Sequence, residues 1–287
     1  MGNSALTDKY EHRSRRKREW TVFSILGLVI LVLFAAICIA PFIYMVLMSF
    51  TQSTTATLQL REIRLTDFSN YNYVFRNNGF LRSLWNSIVV VGFSCVLNCI
   101  IASMAAYGFE KKQFPGKEKL YLIYLATMMI PGQVTMIPIF LMMKEMKLLN
   151  TYYALIVLIL NAFGVILIRQ FMKGVPDDLI EAAQVDGCPE FRIYLNVVVP
   201  LIRPVLVSLV IFTFVTSWND FMWPLISTSK SGMYTLTVAL SLLKTQYATN
   251  YGLLMAGAAV SFVFPFVMYC ILQKQFVEGI ALSGIKG

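Results

Sequence analysis

Apolar residues in this chain do not alternate with polar ones. They gather into six long runs, at about 20–50, 84–109, 120–143, 152–172, 200–227 and 252–273. A helix needs roughly 20 residues to cross a hydrocarbon core, so each run predicts one membrane-crossing helix. The first run exceeds that length and is expected to tilt or to project beyond the bilayer, with Pro41 as a kink. Arg-Ser-Arg-Arg-Lys-Arg precedes it at 13–18, as in a signal peptide. The run is nevertheless too long for one, and no small-residue cleavage site closes it, so it reads as a retained first span.

One polar passage stands out between runs four and five: VPDDLIEAAQVDGCPEFRIYLNVVVPLIRP, residues 175–204. It predicts two short helices. Pro176 suits a helix start, and Asp177 and Asp178 suit a first turn, where the helix dipole is positive. Gly187 is placed to end the first helix in a left-handed conformation. Pro189 and Glu190 open the second, and Pro200 and Pro204 mark the bend into run five. Ala182 and Ala183 would let another chain approach closely. Leu179, Ile180, Val185, Phe191 and Ile193 would supply apolar contact, and Glu181, Asp186 and Arg192 would fix register. Either a docking element for another protein or an amphipathic pair resting on lipid headgroups fits this composition.

Composition strengthens the membrane reading. Of 287 residues 57% are hydrophobic and 14% charged, against about a quarter charged in soluble domains. The expected fold is an all-α integral membrane protein of six transmembrane helices. The net charge of +9 then belongs to loops on one side of the membrane, since no soluble scaffold for a nucleic-acid surface is visible. With the N-terminus inside, sixteen Lys and Arg fall in inside segments and eight in outside ones, which accounts for all 24. That bias predicts an N-in, C-in topology. Residues 1–19 become a cytoplasmic basic tail held at anionic lipid, 20–276 the transmembrane domain, and 277–287 a cytoplasmic C-terminal tail. Three glycines make that tail a poor helix.

Several chemistries are excluded or unsupported. His12 is the one histidine, so the chain alone supplies neither a Ser-His-Asp triad nor a histidine zinc site in the membrane. Cys38, Cys95, Cys99, Cys188 and Cys270 lack zinc or redox spacing. Met128, Met129, Met136, Met142 and Met143 read as adaptable lining or core rather than a metal site.

Three stretches carry a family resemblance. Glu181-Ala182-Ala183, three residues, Gly187, nine residues, then Val197-x-Val199-Pro200 resembles the EAA loop of ABC importer permeases, with valines in place of the usual Ile and Leu. SWNDFMWPL at 217–225 and QKQFVEGIALSGIKG at 273–287 resemble segments of the maltose-type, second-permease branch of carbohydrate importers. The resemblance implies a type I ABC importer permease architecture in a bacterial plasma membrane. It implies a second, homologous permease subunit, two cytoplasmic ATPase subunits and an extracytoplasmic sugar-binding protein as partners. Glu181, Ala182, Ala183 and Gly187, with Asp186 beside them, become ATPase-coupling positions, and the C-terminal tail becomes a second contact with the ATPases. The chain has no G-x-x-x-x-G-K-[ST]; its nearest fragment, FPGKEK at 114–119, lacks the first glycine. ATP and Mg are therefore expected on the partner ATPases, with no cofactor and no catalysis in this chain.

Candidate substrate-pathway residues are Trp218, Asn219, Asp220, Asn98 and Asn161. Trp, Asn and Asp together offer an aromatic face and hydroxyl partners for a sugar. For Asp220 a structural bond is the simpler reading, because the segment recurs in the resembled family whatever the sugar. Asn98 stands with Ser94, Ala102 and Ala106 at four-residue steps, a small-residue face that suits helix packing with an interhelical amide bond, or else pore lining. Asn161 has the same two readings. Other readings of the whole chain are a permease for a peptide or polyamine, a self-contained carrier or channel, and a membrane enzyme. The last two need intramembrane ionisable relays or a catalytic cluster, for which the runs offer few residues.

Overall fold

A computed structural model describes residues 22–76, 78–159, 162–246 and 250–284, and among them every regular element is a helix. The basic tail 1–19, Asn161 and the last three residues lie outside the described residues. Helix α1 spans Val22–Ser49, with Pro41 inside it. A short α2, Ser69–Arg76, follows an irregular loop, and α3 spans Asn78–Lys111.

The third apolar run was expected to be one helix and is two: α4, Lys117–Thr127, and α5, Gly132–Glu145, which meet at 97°. Pro131 explains the elbow. It has no N–H to donate and disfavours helical backbone in the residue before it. The fourth run is likewise divided, into α6, Tyr152–Val157, and α7, Ala162–Met172. The polar passage forms α8, Asp177–Val185, and α9, Glu190–Leu201. Run five supplies α10, Arg203–Trp218, which turns 79° from α9, and α11, Met222–Ser227. Helix α12, Leu236–Gln246, fills a segment with no run assigned to it. Helix α13 spans Tyr251–Gly284. It continues beyond the expected end of run six and into the segment expected to be a poor helix, as far as Gly284. Each glycine there costs about 1 kcal/mol, but a helix already nucleated upstream gains one hydrogen bond for each residue added.

Among the described residues three helices are long and apolar enough to cross a membrane, in α1, α3 and α13. The number is up to five if each bent pair is one span. Helix α3 is the axis of the bundle and packs against α7 and α10, while α1 lies against α13. The small-residue face predicted on α3 is where that packing is closest. Ala102 and Ala106 are fully buried, and a Cβ on Gly164 of α7 would stand 3.0 Å from Cβ of Ala102. A second close crossing holds the start of α13. A Cβ on Gly252 would sit 1.9 Å from the backbone oxygen of Thr51, in the loop after α1. Asn70 of α2 donates to that oxygen at 2.7 Å and to the Ser49 carbonyl at 2.9 Å. Exposed α1 residues such as Phe34 and Ile37 are apolar, as expected of a surface facing lipid or another apolar chain.

Candidate coupling loop and bundle interior

The polar passage between α7 and α10 is built as its punctuation predicts. Gly187 takes φ +75°. Its N–H donates to the Gln184 carbonyl and the Cys188 N–H to the Ala183 carbonyl, each at 3.0 Å. That pair of bonds is a Schellman cap, and it turns the chain sharply out of α8. Ala183 and Cys188, the two residues joined across the cap, pack against the core beneath. Pro189 then opens α9, whose residues Tyr194–Val198 form one π-helical turn just before Pro200. π turns are rare and occur mostly as single turns inside α-helices, as this one does.

Orientation divides the predicted contact surface. Ile180 and Ile193 were expected to face a partner and instead are buried in the core, because they share the inward face with Ala183 and Tyr194. Leu179, Val185 and Phe191 remain exposed, as do Glu181, Ala182, Asp186 and Gly187. The exposed set is an apolar and acidic surface with a glycine turn at its end.

A lattice of charges that the sequence reading missed ties this loop to the bundle. Lys111, buried at the end of α3, donates to the Val175 carbonyl and to Asp177 Oδ1, each at 2.6 Å. Lys112 pairs with Glu190 at 2.5 Å and lies 5.1 Å from the centre of the Tyr107 ring, whose hydroxyl also donates to Glu190. First Lys112 and then the Tyr107 hydroxyl hold the Glu190 carboxyl below the ordinary carboxylate range. Arg169 of α7 donates to Glu110 Oε2 at 2.9 Å, reaches Glu118 of α4 at 3.5 Å, and lies 3.7 Å from the centre of the Tyr121 ring. The Tyr194 hydroxyl meets Ser103 at 2.6 Å. Both helices of the loop are thus fastened near their starts to the end of α3 and to Lys112 just beyond it. An arginine inside an otherwise apolar run was the available signal, since such a charge needs partners.

The pathway candidates separate in the interior. Trp218 is buried, stacked on Phe264 at 4.7 Å and on Phe214 at 5.8 Å, so its ring is core rather than an open sugar platform. Asp220 accepts the Trp223 N–H at the start of α11 in a long contact of 3.4 Å, and its carbonyl accepts from Thr237 at 2.8 Å. Asn219 is exposed and donates to the Val215 carbonyl at 2.9 Å. Asn98 is buried and donates to Thr213 Oγ1 at 2.8 Å, the interhelical amide bond, while also lining a cavity of about 280 Å³. Among the described residues no group of three or more His, Cys, Asp or Glu is placed to hold a metal ion.

Comparison with known proteins follows the same outline. Residues 98–277 match the family model described as "Binding-protein-dependent transport system inner membrane component". The chain is 34% identical to the arabinooligosaccharides transport system permease protein AraQ of Halalkalibacterium halodurans, over 88% of this chain and 93% of that protein. It is 32% identical to the lactose transport system permease protein LacG of Rhizobium radiobacter, over 95% and 98%. Its fold matches a chain in the crystal structure of a bacterial ABC transporter involved in the import of the acidic polysaccharide alginate. The TM-score is 0.76 at 26% identity, covering 91% of this chain and 98% of that one.

Proposed function

From the premise that the chain belongs to the family of binding-protein-dependent transport system inner membrane components, we propose that it carries carbohydrate across the membrane as one permease subunit of an ABC importer. The observation that carries this reading is the similarity to two sugar permeases along almost the whole chain. The permease works with a second, homologous permease subunit, two ATPase subunits and an extracytoplasmic sugar-binding protein. ATP and Mg belong to the ATPases, and the chain itself catalyses no reaction.

The finer reading places the chain in a bacterial plasma membrane with six spans, each bent or divided segment counting as one, and both termini inside. The two-to-one bias of Lys and Arg supports that topology. The loop at 176–200 is then cytoplasmic. Glu181, Ala182, Asp186 and Gly187 present its outer surface to an ATPase, and Ala183 seats it on the bundle. The anchoring of both loop helices at the end of α3 supports a mechanical role. A loop fastened to the bundle axis passes a push from outside into the spans, whereas a loosely tethered one would yield to it.

Reconstitution tests the function. The complete complex in proteoliposomes, with its binding protein, is expected to take up an arabino-oligosaccharide or lactose only when ATP is present on the ATPase side. Uptake without ATP, or uptake confined to amino acids or polyamines, overturns the reading. For the loop, Gly187→Val puts a β-branched residue at φ > 0. Gly187→Val and Glu181→Lys chains are expected at normal levels in the membrane without bound ATPase. Wild-type uptake by both removes the coupling assignment. A cysteine introduced at 65 should react with an impermeant thiol reagent from outside, and one at 115 should not; the reverse pattern inverts the topology.

A further inference from the structure

Lys and Arg are sparse on the outer side of the predicted topology, yet half of the eight there fall in one loop, 51–83. All four are arginines, Arg61, Arg64, Arg76 and Arg82, against two acids, Glu62 and Asp67. Arginine differs from lysine in presenting a planar fork that matches phosphate. Such a cluster runs against the charge bias that orients the chain, and the structure gives it a setting.

Helix α3 measures the bilayer. On one side it exposes Trp85, Phe93, Val96, Ile100 and Met104, an apolar stripe such as lipid demands. Trp85 and Met104 stand 19 residues apart (104 − 85), about 28 Å of helix against a hydrocarbon core of about 30 Å. Beyond one end of the stripe lie Glu110 and Lys111, at the rim that holds the coupling loop. Beyond the other lies exposed Arg82, three residues before Trp85 and on the same side of the helix. Arg82 and Glu110 are 28 residues apart (110 − 82), about 42 Å, which matches a bilayer with both headgroup layers included. With the rim in one headgroup layer, Arg82 stands in the other. Helix α2 leads into this end of α3, and its inner side is fixed. Asn70 donates to the Ser49 and Thr51 carbonyls, and the Tyr71 hydroxyl meets Ser49 Oγ at 2.7 Å. Its exposed residues include Tyr73, Phe75 and Arg76. Aromatic and basic side chains together suit neither lipid tails nor bulk water, but the interface between them. Among the described residues neither Arg76 nor Arg82 has an ion-pair partner. The Arg82 guanidinium is oriented by its Nε–H, which donates to the Gly232 carbonyl at 2.9 Å.

We propose that α2 and the outer end of α3 form a headgroup site for anionic phospholipid in the leaflet away from the coupling loop. Arg76 and Arg82 take the phosphate, and Trp85 sits where the tails begin. The basic surplus of the loop matches an anionic headgroup in charge, and the site continues the lipid-facing side of α3. Asn70 joins α2 to the Thr51 carbonyl, which is packed on Gly252 of α13. A lipid seated on α2 therefore braces the crossing behind it. The proposal does not depend on which solute the protein transports.

The test uses the complete complex in phosphatidylcholine nanodiscs, with phosphatidylglycerol spin-labelled at its headgroup as the probe. The chain also holds Trp20, Trp218 and Trp223, so the Trp85 fluorescence is taken as the difference between wild type and Trp85→Phe. That difference is expected to be quenched by the headgroup label and not by iodide in the water. Each arginine near an anionic surface is worth roughly fivefold in affinity. Arg76→Gln and Arg82→Gln should therefore each raise the half-saturating fraction of labelled phosphatidylglycerol about fivefold. Arg82→Lys keeps the charge and should stay within about twofold of wild type. Arg76→Gln leaves the Arg82–Gly232 bond intact, so its shift reports the charge and not the fold. Half-saturation unchanged in both glutamine variants overturns the proposal. So does a Trp85 signal quenched by iodide; if the extracytoplasmic binding protein then protects it, the surface is a protein dock instead.

Discussion

Helix α3 is held by different forces at its two ends. Its last two residues, Glu110 and Lys111, and Lys112 just beyond them each meet an opposite charge on another element. Its middle presents Ser94, Asn98, Ala102 and Ala106, and contact there depends on shape, with one amide bond to Thr213. Charges hold over a range of distances and adjust when partners shift. Close-packed small residues hold at one distance, and any added atom is felt. A transporter needs both: a bundle that moves as a body, and a joint at its rim that stays attached while it moves.

Three substitutions sharpen this contrast. The largest effect is expected where shape alone decides. Gly252→Ala puts a methyl 1.9 Å from a backbone oxygen, which no rotamer change relieves. A loss of about 3 kcal/mol or more is expected, read as a fall in thermal stability of the detergent-solubilised chain. An unchanged melting curve would show that the α13 crossing is not a rigid contact. Next comes Arg169→Met at the rim, which leaves Glu110 half-buried without its partner. About 3 kcal/mol is expected, and the double variant Arg169→Met with Glu110→Gln should recover much of it. Without that recovery, the arginine acts through packing on Tyr121 and not through charge. The smallest effect is expected for Lys112→Met, since Glu190 is exposed and Lys112 partly so. At most about 1 kcal/mol is expected, fading as salt is raised. An effect as large as that of Arg169→Met would make the rim a single cooperative unit.

Legibility in the sequence follows the same division. The all-helical class, the loop's two helices and its glycine turn were readable, because each depends on local chemistry: apolar run length, proline, first-turn acids and a left-handed glycine. The small-residue face of α3 was readable for the same reason. The inward placement of Ile180 and Ile193 was not. Leu179 and Ile180 are adjacent and equally apolar, and only the packing of Ala183 and Cys188 decides which of them turns in. The lattice around Arg169 joins residues from α3, α4 and α7, a pairing that no local rule supplies. Trp218 was assigned by its chemistry, and its ring is already occupied by Phe214 and Phe264. The elbow at Pro131 was within reach. The run length of 120–143 concealed it, since apolar content alone does not reveal a break.

The docking of α1 on α13 bears on how the protein is made. Phe42 meets Phe262 with ring centres 4.6 Å apart, so α1 finds this partner on a helix synthesised 220 residues later (262 − 42). At synthesis rates of about 5–20 residues per second, the interval between them is on the order of ten seconds or more. Throughout that time α1 has to reside in the bilayer without the neighbour it will finally have. Any buried polar group on it would lack a companion while the rest of the chain was being inserted. The apolar surface of α1 is therefore suited to a period of solitary residence during biogenesis as well as to the finished transporter.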